Sequence, residues 1–314
     1  MSEPAPRYLR LSVTARCGMR CVYCRPEPGT GPDPADELSA DELRLMVECA
    51  AAEGVRKLRI TGGEPLQRDD LERIVAAVSS VRGIREVGLT TNGLGLEDRA
   101  AALAEAGVER VNVSLDSLRR ARFAQVTGMD AHGTVLRGIA RAVRTFPAVK
   151  VNLVLLRGRN DDEIPDFVRF AAASGVVVRF IEYYGVRGGP EGLEGVPADE
   201  VLERVRFAFG DVERLEGDPL SVEELYCVPG AEGAVVGVVR SASTPPCRDC
   251  SKLRLTAGGE LLPCLFAERG VAVKALLERG DRDAVREAVR EVYGAKERSG
   301  PGGRRVWCVC DIGG

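Results

Sequence analysis

Cys17, Cys21 and Cys24 fall within "RCGMRCVYC", residues 16–24, directly after the apolar run "YLRLSVT". Three thiolates in such a Cx3Cx2C loop can converge on one 4Fe-4S cubane and leave its fourth iron open to a small molecule. The competing chemistry is zinc, which wants four ligands. His132 is the single histidine, so a fourth ligand would have to come from far along the chain. A second group, Cys247, Cys250 and Cys264 in "CRDCSKLRLTAGGELLPC", follows a Cx2Cx13C pattern and again supplies three ligands without a fourth. Cx2C with a distant cysteine is also a common zinc-ribbon fragment. None of Cys49, Cys227, Cys308 and Cys310 has an obvious pairing with this group that would close a zinc shell, so a second open-iron cubane fits better.

Such centres must be held by regular elements, and the chain alternates two periodicities. Short β-branched or apolar runs start near residues 8, 55, 86, 109, 149 and 176. Between them lie amphipathic stretches such as "ADELRLMVECAAAEG" (residues 40–54), "RDDLERIVAAVSSV" and "DDEIPDFVRFAAASG", with apolar residues at helical spacing and Gly as a stop signal. Strand-then-helix units predict parallel strands joined by crossover helices. Six units are too few for an eight-unit barrel, so the expected class is α/β, an incomplete, open (β/α)6 barrel rather than a doubly wound sheet. Chemistry then belongs at the carboxyl ends of the strands. The barrel is expected over residues 1–184 and a C-terminal extension carrying the second cysteine group over 185–314, entered through the Gly- and Pro-rich "GVRGGPEGLEGVPADE". In that extension "EELYCV" and "AVVGVVRSAS" read as a strand pair, and helices are expected near 271–294.

Composition removes other classes. A net charge of −3 gives no support to a nucleic-acid or acidic-membrane partner. No apolar signal core opens the chain and no run approaches ~18 apolar residues, which predicts a cytoplasmic protein. In that reducing compartment ten cysteines are not a disulfide framework. With one histidine, a Ser-His or Cys-His nucleophile could be built only around His132, expected in the loop "MDAHGT" as a surface or capping residue. No Walker-type phosphate loop occurs. Cys49 and Cys227 read as core filler.

"RITGGEPL", residues 59–66, puts Thr61, Gly62, Gly63 and Glu64 at the end of the second strand, where backbone without side chains can approach a ligand. With Cx3Cx2C one strand earlier, this resembles the radical S-adenosylmethionine superfamily. Together with "LRLSVTARC", "GLTTNG", "RVNVSLDSL", "VKVNLV", "RFIE", the Cx2Cx13C block and the terminal Gly313-Gly314, the chain from about Tyr8 onward closely resembles the GTP 3′,8-cyclase family of molybdenum-cofactor biosynthesis.

The resemblance implies two 4Fe-4S clusters at opposite ends of the barrel cavity. S-adenosylmethionine would chelate the open iron of the N-terminal one, beside Tyr23, Gly63, Ser114 and Tyr184. GTP would bind at the C-terminal one, among Arg10, Arg59, Thr90, Lys150, Arg179, Lys252 and Arg254. A 5′-deoxyadenosyl radical would take hydrogen from the ribose 3′ carbon, and the sugar radical would close on carbon 8 of guanine to give 3′,8-cyclo-7,8-dihydro-GTP. The Gly313-Gly314 tail would reach into the active site. An external electron donor is required, and a homodimer is left open. Independently of the resemblance, Arg10, Arg59, Lys150 and Arg179 come from different strands with apolar neighbours, which predicts that they face the interior. Cations converging there need an anion, which a triphosphate provides.

Four features depart from the family pattern. Lys252 stands where the family has Arg, which keeps charge but loses the bidentate fork. Tyr184 replaces a Met, Pro246 replaces a Phe, and Cys308 and Cys310 are added beside the tail. The alternative readings are a paralogue acting on another nucleotide or metabolite and, from a different class, a zinc-stabilised nucleotide-binding protein.

Overall fold

The computed structural model describes residues 7–24, 33–185, 192–217, 221–243, 250–267 and 269–296. Cys247, Pro246, Cys308, Cys310, Gly313 and Gly314 lie outside the described residues. The six apolar runs are strands Tyr8–Ser12 (β1), Lys57–Thr61 (β2), Glu86–Thr91 (β3), Arg110–Ser114 (β4), Ala148–Leu155 (β5) and Val177–Glu182 (β6). They are parallel and adjacent in chain order. Helices Ala40–Ala52 (α1), Leu71–Ser79 (α2), Leu96–Ala106 (α3), Arg120–Thr127 (α4), His132–Thr145 (α5) and Ile164–Ser174 (α6) make the crossovers. The fold is the open, six-unit α/β arrangement that the periodicity predicts.

Local chemistry sets the boundaries. Ser39 and Glu42 form a reciprocal capping box at the start of α1. Helices α3 and α6 stop at Gly107 and Gly175, whose φ of 118° and 72° suit a residue without Cβ. Strand alternation separates two environments. Leu9, Leu11, Leu58, Ile60, Val151 and Leu153 are fully buried in the core beneath the helices. The intervening positions Arg10, Arg59, Lys150 and Asn152 face the other side of the sheet, which becomes a polar concave surface.

The rest of the chain extends the same sheet at both edges. It comprises Ala198–Phe209 (α7), Glu213–Leu215 (β7), Glu223–Val228 (β8), Ala234–Val239 (β9), Lys252–Leu255 (β10), Glu260–Leu262 (β11), Val271–Ala272 (β12), Lys274–Glu278 (α8) and Arg282–Lys296 (α9). The strand order is β12-β11-β10-β1-β2-β3-β4-β5-β6-β9-β8-β7. Both β9 and β10 run parallel to the barrel strands they join, with Gly237 opposite Arg179 and Arg254 opposite Arg10. The predicted strand pair is β8 and β9, whereas β10 was legible only as a flank of the cysteine block. Helix α9 packs on α1, where Arg286 and Arg290 hold Glu53 at 2.7 and 2.9 Å.

Two minor expectations are corrected. His132 is the first residue of α5 rather than a loop residue, and its ring meets Phe123 edge-on at 5.5 Å. Cys49 is core, but Cys227 is half-exposed, because β8 turns Tyr226 and Val228 inward. Among the described residues no helix is long and apolar enough to cross a membrane.

Candidate active site

The cysteine loop leaves β1 and is sewn at once to the end of β2. Gly63 N donates to Thr14 O at 2.7 Å and Glu64 N to Arg16 O at 2.7 Å. A Cβ on Gly63 would lie 2.3 Å from Arg16 O, and one on Gly62 would lie 2.4 Å from Thr14 O. The glycine pair therefore admits the backbone of the cysteine loop itself, in addition to lining the cavity. Farther along, Arg20 N and Val22 N donate to Thr127 O and Val126 O at 2.8 Å, fixing the loop to the end of α4. The Glu64 carboxylate accepts from the Thr91 hydroxyl at 2.6 Å, Asn92 N at 2.6 Å and Leu66 N at 2.9 Å. Burial raises this carboxyl to about 7.

A cavity of about 190 Å³ opens at the carboxyl ends of the strands. Cys17, Cys21 and Cys24 line it together with Tyr23, Gly63, Thr90, Ser114 and Tyr184. Eight residues singled out from widely separated motifs thus share one space. Asp116, which sequence reasoning missed, also lines it. Its Oδ2 accepts the Tyr23 hydroxyl at 2.6 Å and its Oδ1 accepts Val154 N at 3.0 Å. Burial raises Asp116 to about 6.

The predicted cations fall into two sets. Arg10, Arg59, Lys252 and Arg254, from β1, β2 and β10, surround Tyr8: Arg59 Nε donates to the Tyr8 hydroxyl at 3.0 Å and Lys252 Nζ lies 5.4 Å from the ring centre. Burial alone would raise the Tyr8 phenol, but Arg59, Arg10 and Lys252 hold it down at about 7. Burial, then repulsion from Arg254, lowers Arg10 to about 9, and burial lowers Lys252 to about 8. Gly88 leaves the space across which the Arg59 guanidinium lies; a Cβ there would fall 2.3 Å from Nη1. The second set, Lys150 and Arg179 on β5 and β6, is bound by Glu223 of β8, another residue that no sequence signal marked. Glu223 Oε1 pairs with Lys150 Nζ and Oε2 accepts from Arg179 Nη1 at 2.8 Å. Burial works against this carboxylate, yet Arg179 and Lys150 hold it at about 2. The expectation that these two cations await an external anion is corrected to that extent.

Cys250 and Cys264 lie near Arg254, whose electrostatic neighbours include both. Burial acts to raise Cys250, but the Lys296 ammonium and its neighbours bring it below the usual thiol value. Lys296 Nζ itself donates to Lys252 O at 2.7 Å and Pro263 O at 2.6 Å. Tyr184 joins the two ends: it lines the cysteine-loop cavity, and its ring meets Phe266, which closely follows Cys264, edge-on at 6.0 Å.

Three thiols on one loop suit a cubane. Burial raises Cys17 and drives Cys21 well up, so the protein alone leaves them as thiols, and an iron centre would supply the missing positive charge. Among the described residues no His, Cys, Asp or Glu trio is gathered for a single metal ion. Thiolates of a cubane bind separate irons and stand farther apart than those of one tetrahedral zinc, where Zn–S is about 2.3 Å.

Residues 11–171 match the family model of the radical SAM superfamily, and residues 176–300 match that of Molybdenum Cofactor Synthesis C. The chain is 40% identical to the GTP 3′,8-cyclase of Geobacter sulfurreducens, covering 93% of this chain and 91% of that one. It is 42% identical to the GTP 3′,8-cyclase of Pelotomaculum thermopropionicum, over 87% and 85%. Among solved structures, Streptococcus suis SuiB bound to S-adenosylmethionine shares the fold, with a TM-score of 0.63 at 16% identity over 91% of this chain and 68% of that one.

Proposed function

Because the chain belongs to the GTP 3′,8-cyclase family of radical S-adenosylmethionine enzymes, we propose that it converts GTP to 3′,8-cyclo-7,8-dihydro-GTP, the first step of molybdenum-cofactor biosynthesis. It is an enzyme that uses S-adenosylmethionine and an iron–sulfur cluster. Cys17, Cys21 and Cys24 would hold that cluster, and Cys247, Cys250 and Cys264 a second. Bound there, the cluster and S-adenosylmethionine supply one-electron hydrogen-abstraction chemistry. The electron comes from a donor outside the chain, and we place the enzyme in the cytoplasm.

The chain's own residues bind, orient and shield. Tyr23, pinned by Asp116, gives an aromatic wall beside the cysteine loop, while Gly63 and Ser114 leave room along the strand ends for the methionine part. Buried Arg59 and half-buried Arg10, Lys252 and Arg254 offer positive charge to the nucleotide, with Thr90 held toward the same face by Asn112 at 3.4 Å. Lys150 and Arg179 add a second cationic position. Gly313 and Gly314 enter through the resemblance alone. The same holds for a barrel part at 1–184 and a cluster-bearing part at 185–314, whose strands share one sheet.

The observation that carries this reading is the placement of Tyr184. It faces the cysteine-loop cavity, packs on Phe266 near Cys264, and lies within electrostatic reach of Arg254 and Arg10. A nucleotide bound on those cations would therefore sit between the two cysteine groups, beside the cavity where Cys17, Cys21 and Cys24 would hold the cluster and S-adenosylmethionine. The experiment is an anaerobic incubation of reconstituted protein with S-adenosylmethionine, a strong reductant and each ribonucleoside triphosphate in turn. A new species with the mass of GTP, formed with 5′-deoxyadenosine and with GTP alone, is the expected result. Formation of 5′-deoxyadenosine without a nucleotide isomer would move the substrate assignment to a paralogous activity, with Lys252 and Tyr184 as the departures responsible. A colourless protein that takes up no iron would return the zinc reading.

A further inference from the structure

Glu223 is the first residue of β8, and its side chain is 3% exposed. It comes from the C-terminal part of the chain, while the cations that it grips, Lys150 and Arg179, belong to the six-unit alternation. Arg179 is locked from its other side by Asn152 Oδ1, which accepts Nε at 2.8 Å and Nη2 at 2.5 Å. Gly237, opposite Arg179 on β9, has no side chain to lift that guanidinium; a Cβ there would fall 3.2 Å from Arg179 Cγ. The arrangement is a preformed two-cation clamp whose two donors are filled by a carboxylate of the same chain. A phosphate group presents the same acceptor chemistry with more charge and a third oxygen.

We propose that Glu223 is an internal stand-in for a phosphate group, which holds the Lys150–Arg179 clamp in the substrate-free enzyme and must be displaced by the incoming polyphosphate. It thereby determines how tightly, and with how many phosphates, the nucleotide binds. This rests on the reading of Lys150 and Arg179 as part of the GTP site. A carboxylate that stayed in place would repel a phosphate brought to the same cations, and one that leaves must give up two charge-assisted bonds in a buried setting. Either way its negative charge opposes the substrate, and the opposition grows with the phosphate count.

Equilibrium binding of guanosine, GMP, GDP and GTP to the reconstituted protein, without reductant, tests this. Glu223→Gln keeps the shape and an acceptor oxygen but removes the charge. Its dissociation constant for GTP should fall about tenfold, that for GDP less, and that for guanosine should not change. Glu223→Asp, which restores the charge, should return GTP affinity toward wild type. A purely structural role predicts the reverse, weaker binding of every ligand in Glu223→Gln regardless of phosphate number, and that result, or unchanged GTP affinity, overturns the assignment. Lys150→Ala and Arg179→Ala separate the two levels of inference. If neither weakens GTP binding in the wild-type background, the placement of the triphosphate is wrong and Glu223 loses its role with it; if both do while Glu223→Gln binds no tighter, only the stand-in role is lost.

Discussion

The Tyr23 hydroxyl donates to Asp116 Oδ2 at 2.6 Å, tying the middle of the cysteine loop to the segment that follows β4. The other carboxylate oxygen takes Val154 N of β5 at 3.0 Å, so one buried acid fixes the aromatic ring against two neighbouring strand ends. Removing either partner frees the ring and leaves the other polar group buried without its bond.

Asp116→Asn should therefore weaken S-adenosylmethionine binding roughly five- to fifty-fold, the equivalent of about 1–2.5 kcal/mol for a charge-assisted bond. Tyr23→Phe should cost a similar amount, and the double variant scarcely more than either single one, because both remove the same contact. Equilibrium binding of S-adenosylmethionine to the three variants checks this. Additive losses would mean that Tyr23 and Asp116 act separately.

Gly63→Ala tests the glycine pair. A methyl group there meets Arg16 O at 2.3 Å and Ala15 O at 2.5 Å, and these are backbone atoms that cannot swing aside. The cysteine loop must shift, at a cost of about 1–3 kcal/mol, and its three thiols lose their register. Reduced iron content after reconstitution, measured beside denaturant unfolding, is the expected outcome. Full iron loading in a stable Gly63→Ala protein would show that the loop has slack.

The two cysteine groups should fail differently. Cys17→Ala would take away one of the three thiols proposed to hold the cluster in the cavity that Tyr23 and Ser114 also line, so cleavage of S-adenosylmethionine should vanish. Cys264→Ala alters the end beyond Phe266 and should leave some cleavage uncoupled from nucleotide product. Quantifying 5′-deoxyadenosine and the GTP isomer in parallel distinguishes them. Normal cleavage by both variants would remove the two-cluster assignment.

Local patterns made the barrel legible. Alternation in "VKVNLVLL" put Lys150 and Asn152 on one face and Val151 and Leu153 on the other, and Gly stops bounded the helices. The cysteine spacing and "GGEP" located the cavity because both lie on turns directly after strands. What stayed hidden depends on long-range pairing. No period in "KLRL" tells that β10 will join β1 and set Arg254 opposite Arg10. Asp116 and Glu223 sit in ordinary polar contexts, and their partners lie 93 and 73 residues away, at Tyr23 and Lys150. The likeness to the family supplied the cations expected to meet the substrate but not the acid that already holds two of them.

That acid makes a pH-dependent prediction for the fold. Arg179 and Lys150 overcome the burial of Glu223 and hold its carboxyl at about 2, against an ordinary value of 4.5. For a group depressed on folding, the stabilising contribution is complete above the unfolded-state value and is lost as pH falls through the folded-state value. The window here is from about 4.5 down to about 2. Burial lowers the Lys150 ammonium and offsets part of the gain, so the contribution at neutral pH is on the order of 2 kcal/mol. Glu223→Gln should accordingly unfold at lower denaturant than wild type at pH 7, with a gap that closes progressively below pH 4.5. The two proteins are compared at equal measured iron content, so that the difference between them isolates the carboxylate. A gap that stays constant through the acid range would mean that the shape of Glu223, and not its charge, supports the clamp.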